Sequence, residues 1–159
     1  MIRRTVPSDY ESLIEIAIAS GLFEPSQADM IAGMIRSPAE TDIWFTAEME
    51  QGPVGTAYLV PEKMTNGTWN LLFIAVHPNA QRQGLGTAIL NHVQEWLRSQ
   101  GERILIVETA GIADFDYVRH FYAREGFEQE ARIRDFYDEG VDKVIFRKAL
   151  GSAARESRG

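Results

Sequence analysis

The chain has 159 residues, 45% of them apolar and 25% charged, with a formal net charge of −7. This is the composition of a globular protein with a real core, and its acidic balance argues against nucleic acid as the main partner. With no cysteine in the sequence, disulfides, thiolate metal sites and a cysteine nucleophile are excluded.

His77, His92 and His120 are too scattered for a zinc site, so no metal is expected. No apolar run approaches transmembrane length, and the N-terminus lacks a signal-peptide pattern. The expectation is a cytoplasmic protein without a membrane partner.

In chain order, Ile2–Val6 reads as a short strand. Pro7 and Ser8 open a helix, for which Ser8 and Glu11 form a capping box. Leu13, Ile14, Ala17 and Ile18 give this helix its apolar stripe, and Gly21 stops it. Pro25 starts a second helix carrying Ala28, Ile31, Ala32 and Ile35, which Pro38 closes. Ile43–Met49 and Val54–Val60 form a hairpin around Gly52, and Asn66-Gly67 turns the chain into a third strand, Thr68–Val76.

The helix that follows carries Leu85, Ile89, Leu90, Val93 and Leu97 at helical spacing and ends at Gly101. Arg103–Val107 is an apolar strand ending in Glu108-Thr109. A strand, a helix and a strand at this spacing make a right-handed crossover, so Thr68–Val76 and Arg103–Val107 should be parallel. Asp114–Glu125 is a last helix, and Glu128–Tyr137 with Val141–Ala149 a final hairpin. The fold class is therefore α/β (α+β): one mixed sheet, in a single domain over residues 1–150. Residues 151–159 are small and polar, with the composition of a disordered tail.

The stretch from Leu71 to Leu90 organises the chain. An apolar strand ends at Val76 and Pro78; a polar turn with Gly84 and Gly86 follows, and then a helix. Glycines permit close approach of the backbone, and a helix start offers unpaired N–H groups to phosphate. The stretch therefore predicts a pyrophosphate-bearing cofactor. A dinucleotide site would use Gly84-Leu85-Gly86 with Glu108 as its ribose acid, but Ile89 stands where the third glycine belongs and the strand ends too far upstream. A Walker loop needs Gly-Lys-Ser/Thr, which is absent.

Gln81-Arg82-Gln83-Gly84-Leu85-Gly86 resembles the Gln/Arg-x-x-Gly-x-Gly/Ala signature of the GNAT family of N-acetyltransferases. Ile74-Ala75-Val76-His77-Pro78 is similar to that family's fourth strand, and Phe121-Tyr122-Ala123-Arg124-Glu125-Gly126-Phe127 to its Tyr-x-x-x-Gly-Phe helix end. The predicted order also resembles the family over about residues 1–150: strand, two helices, three strands, helix, strand, helix, two strands.

The resemblance implies acetyl-CoA, or another acyl-CoA, as co-substrate and an amine of a small molecule or peptide as acceptor. It implies that the two parallel strands splay apart. Ile74, Ala75 and Val76 would then offer main-chain contacts to the pantetheine arm, and a backbone N–H near Val76 could stabilise the thioester oxyanion. Gln81, Arg82, Gln83, Gly84, Leu85, Gly86 and Thr87 would cradle the pyrophosphate.

Tyr122 would protonate the departing thiolate and Glu108 would take the acceptor's proton. Many members carry an asparagine seven residues before the tyrosine; here Phe115 stands there. Phe23, Glu24, Asp29, Met30, Phe136, Tyr137 and Asp138 would wall the acceptor site. A homodimer is compatible with the fold. The rival expectations are a non-catalytic acyl-CoA-binding module on the same fold and a dinucleotide enzyme.

Overall fold

The structure, a computed structural model, describes residues 1–151. It contains strands β1 (Ile2–Arg4), β2 (Ile43–Met49), β3 (Gly52–Pro61), β4 (Thr68–Val76), β5 (Ile104–Ala110), β6 (Glu128–Asp138) and β7 (Val141–Ala149). The helices are α1 (Tyr10–Ala19), α2 (Ala28–Arg36), α3 (Leu85–Ser99) and α4 (Asp116–Arg124). The strands hydrogen-bond in the order β1-β2-β3-β4-β5-β7-β6. β4 and β5 are parallel as expected, with register from Thr68↔Ile104 to Leu71↔Val107. The expectation of a disordered tail falls mostly on residues 152–159, outside the described residues.

The element order holds, and the differences lie at element ends. Ser8 and Glu11 do not cap the first helix. A 3-10 turn over Pro7–Asp9 precedes it, and the Asp9 carboxylate accepts from the Val6 N–H at 2.9 Å while the Asp9 N–H donates to the Val6 carbonyl at 2.8 Å. Asp9 wins because Pro7 fixes the backbone of the turn and leaves Asp9, not Ser8, facing the sheet. There its carboxylate also binds Arg3 and Thr46. β5 is longer than the apolar run suggested, so Glu108 lies within the strand, opposite Ile145, and not at its end.

The chain forms two compact units. One comprises Met1–Val60 and Leu72–Glu95, the other Pro61–Leu71 and the chain from Trp96 onward. In the first, Leu13, Ile16 and Ala17 of α1 and Ile31 and Ile35 of α2 pack with Trp44, Tyr58, Phe73 and Ala75. Trp44 stacks on Tyr58 at 4.1 Å, and Phe23 meets the edge of Phe73 at 4.9 Å. Phe23, one of the residues expected to wall an acceptor site, is half-buried and packs against this core. Gly55 allows close packing here: a Cβ would lie 2.9 Å from Ile89 Cδ1 and 3.3 Å from the Ala75 carbonyl oxygen.

In the second unit the strands alternate. Leu105 and Val107 of β5 and Val144 and Phe146 of β7 are buried on one face, which Tyr122 and Phe127 join. On the other face Ile104, Ile106, Glu108, Ile145 and Arg147 are half-buried. Every residue of β6 is exposed.

Candidate functional site

The glycine turn lies in the first unit. After β4 the chain makes a 3-10 turn over Pro78–Ala80, fastened by the Asn79 N–H donating to His77 Nδ1 at 3.1 Å. Gln81 Nε2 donates to the Val76 carbonyl at 3.0 Å, tying the turn to the strand end. Arg82 (φ 65°) and Gly84 (φ 74°) both adopt the left-handed conformation that carries the backbone into α3. Gln81, Arg82, Gln83 and Gly84 are all exposed, and a Cβ on Gly84 would point into open space.

The Ala88 N–H bonds the Gly84 carbonyl at 3.0 Å. The amides of Leu85 and Gly86 precede this first intrahelical bond and so have no partner within the helix. With Thr87 they form an N-terminus able to receive an anion. Leading into the turn, Ile74 and Val76 are half-buried and Ala75 is buried. All ten residues expected to contact a cofactor thus belong to one unit and one continuous strand–turn–helix.

Tyr122 is on α4 in the second unit, 3% exposed. Its ring lies 5.4 Å from Phe127 and 6.3 Å from Phe146. Burial pushes its phenol pKa well above the usual value. The hydroxyl therefore stays protonated throughout the neutral range, as a proton donor must. Arg119 fastens the segment before it, donating to the carbonyls of Ala110 at 2.6 Å and Ile112 at 2.9 Å and pairing with Asp116. Phe115, in place of the asparagine, closes the 3-10 turn Ala113–Phe115.

Glu108 faces the other side of the sheet. Its Oε1 accepts from Asn70 Nδ2 at 3.0 Å, and its Oε2 pairs with Lys143 Nζ. The same Asn70 Nδ2 donates to Glu62 Oε1 at 3.0 Å, while Asn70 Oδ1 is buried without a partner. Lys143 Nζ lies 3.5 Å from the centroid of the Phe136 ring and 5.8 Å from that of Tyr137. Burial, with the nearby Glu108 charge, pushes the Tyr137 phenol pKa up.

The expected pair is therefore not brought together. Val107 and Phe146 face Tyr122's side, and their neighbours Glu108 and Ile145 face the other. The residues not anticipated are Asn70, Glu62 and Lys143. Asn70 was visible as the one strongly polar side chain in the run Trp69–Val76, but nothing local marks its partners, 8 and 38 residues away.

The family described as Acetyltransferase (GNAT) domain matches residues 40–129. The chain belongs to the GNAT acetyltransferase family. A GNAT-family structure from Desulfovibrio desulfuricans is 34% identical, with a TM-score of 0.90 over 95% of this chain and 99% of that one. The Escherichia coli ribosomal-protein-S18-alanine N-acetyltransferase has the same fold at 22% identity and a TM-score of 0.78, covering 96% of this chain and 95% of that one. An aminoglycoside 6'-N-acetyltransferase complexed with coenzyme A shares it at 14% identity and a TM-score of 0.76, covering 95% and 97%. No protein of curated function matches the sequence. Among the described residues of this GNAT protein, no helix is long and apolar enough to cross a membrane, and no group of His, Cys, Asp and Glu is arranged to hold a metal.

Proposed function

We propose that this GNAT protein is an N-acyltransferase that transfers an acetyl or other acyl group from acyl-CoA to a primary amine of a small molecule or peptide, directly, with both substrates bound. When bound, acyl-CoA supplies an acyl group activated by its bond to sulfur. The turn and first helical residues Gln81, Arg82, Gln83, Gly84, Leu85, Gly86 and Thr87 would hold the pyrophosphate. The open space over Gly84 and the outward start of α3 fit that group. The main chain of Ile74, Ala75 and Val76 would hold the pantetheine arm.

Proton movement falls to the second unit. The observation that supports this most is the hold on Glu108 from two strands, by Asn70 of β4 and Lys143 of β7. Glu108 meets a partner at each oxygen, and its side chain is 23% exposed. It would take the proton from the acceptor ammonium. Tyr122 would pass a proton to the sulfur leaving group while its hydroxyl regains one from the second proton that the acylated nitrogen sheds. The half-buried Ile106 and Ile145 beside Glu108 suit an acceptor with an apolar body next to its amine.

A thermal-shift series with CoA, acetyl-CoA, longer acyl-CoAs and NAD tests the ligand class. Stabilisation by CoA species alone is expected, by linkage of binding to folding. Release of free thiol with amines tests the chemistry. A non-catalytic acyl-CoA-binding module would be stabilised by CoA yet release no thiol with any amine, and stabilisation by NAD alone would overturn the proposal.

A further inference from the structure

We propose that Lys143 is a positioning residue for acyl transfer: its ammonium, wedged between the Phe136 ring and Glu108, fixes the carboxylate that takes the acceptor's proton. The inference rests on the role proposed above for Glu108.

Lys143 breaks the pattern of its own strand. It shares a sheet face with the half-buried Ile145 and Arg147, yet it is 8% exposed. The cover comes from an irregularity in β6. Ile133 pairs with Lys143 and Asp138 with Val141, so the four residues Arg134, Asp135, Phe136 and Tyr137 stand opposite Asp142 alone. The surplus chain is held in shape: the Asp142 carboxylate accepts from the Asp135 N–H at 3.0 Å and Arg132 Nη1 at 2.7 Å, and the Asp135 carboxylate from the Gly140 N–H at 2.9 Å. Asp135 has φ 54°, a left-handed conformation that few residues other than glycine, asparagine and aspartate adopt. What these contacts deliver is the face of Phe136 at 3.5 Å from Lys143 Nζ, an attraction that strengthens where water is excluded.

Stability alone does not account for this arrangement. A well-packed apolar residue often serves a buried position as well as an ion pair does, and β7 already has apolar Val144, Ile145 and Phe146. The ammonium does something an apolar side chain would not. It grips Oε2 of Glu108 while Asn70 grips Oε1, so one carboxylate is held from two different strands. A carboxylate fixed at both oxygens keeps one orientation, which is what a proton acceptor requires for each turnover.

The test uses the full chain with acetyl-CoA and two acceptor probes, tyramine and hydroxylamine, followed by release of free thiol. Tyramine is an ammonium at neutral pH and must lose a proton; hydroxylamine is already the free base. Lys143→Met should lower kcat with tyramine about 10-fold, a partial loss of acid–base catalysis. It should leave the rate with hydroxylamine and the KM for acetyl-CoA within about 2-fold, since neither depends on Glu108.

Lys143→Arg should restore part of the tyramine rate. Adding Lys143→Met to Glu108→Gln should cost nothing further, because the lysine acts through the carboxylate. Should Lys143→Met fail to fold, Phe136→Leu, which removes the ring but neither charge, should give a smaller loss with the same acceptor dependence. Equal losses with both amines, an additive double variant, or a full tyramine rate in Lys143→Met while Glu108→Gln is impaired would overturn the role of Lys143 alone. A fully active Glu108→Gln, or a parent chain that releases no thiol with either amine, would overturn the proposed chemistry and this inference with it.

Discussion

Glu108 and Tyr122 belong to opposite faces of the β5–β7 sheet: the carboxylate lies beside Ile145 and the phenol ring lies 6.3 Å from Phe146. The two groups proposed to move protons are thereby kept from hydrogen-bonding each other. The relationship makes their two substitutions separable.

Tyr122→Phe should lower kcat by roughly 100-fold, within the range for losing a positioned acid, with little change in acyl-CoA affinity. The apolar contacts with Phe127 and Phe146 survive, so the melting temperature at neutral pH should hold. Stopped-flow thiol release and calorimetric CoA titration check the two halves of this prediction.

The same residue gives a signature at alkaline pH. Burial raises the Tyr122 pKa in the folded state, and Tyr58, which donates to Asp42 at 2.7 Å, is also raised, chiefly by burial. Below the ordinary phenol pKa of about 10 both states are protonated and the contribution is complete. Above it the unfolded chain ionises first, so stability falls as pH climbs from about 10 toward the folded values. Urea midpoints measured from pH 8 to 11 should decline, and less steeply in Tyr122→Phe.

Asp9 gives the opposite sign. Its carboxyl pKa is held below the usual range, first by the Arg3 guanidinium and then by hydrogen bonds from Val6 and Thr46, against the cost of burial. Its contribution is present above about pH 4 and disappears as pH falls through the lowered folded value. Asp9→Asn leaves Arg3 without this partner in a part-buried site and should cost roughly 2–4 kcal/mol at pH 7. The loss should shrink toward pH 2, which denaturant titration at both pH values would reveal.

Two glycines should respond differently to alanine. At Gly55 the added Cβ meets Ile89 and the Ala75 carbonyl, an overpacking worth about 1–3 kcal/mol of stability. At Gly84 nothing is nearby, but φ is 74°, and alanine there costs about 1 kcal/mol of backbone strain. If the turn holds pyrophosphate, Gly84→Ala should also weaken CoA binding, whereas Gly84→Asn, more tolerant of that conformation, should keep more of it.

Much of this was legible in the sequence because its determinants are local. The turn from Gln81 to Gly86 carries its own glycine, its own strand end and its own helix start. The alternation in β5 and β7 follows from period alone. The cap expected from Ser8 and Glu11 gives way to Asp9 because a pattern three residues apart cannot reveal which carboxylate the sheet turns inward; Arg3 and Thr46 decide that. Lys143 was missed for a related reason. A lysine in a strand ordinarily reads as solvent-facing, and only a register shift in the neighbouring strand buries it.

That register shift has a second effect, on self-association. β6 is an outer strand of 11 exposed residues, and a long regular edge is a template on which strands of other molecules can add. The turn of backbone at Asp135 breaks the row of outward amides and carbonyls partway along, and Arg132 and Arg134 add charge beside the break. An incoming strand would find no continuous ladder to extend, so the irregularity that seats a lysine also protects the molecule from polymerising along its edge.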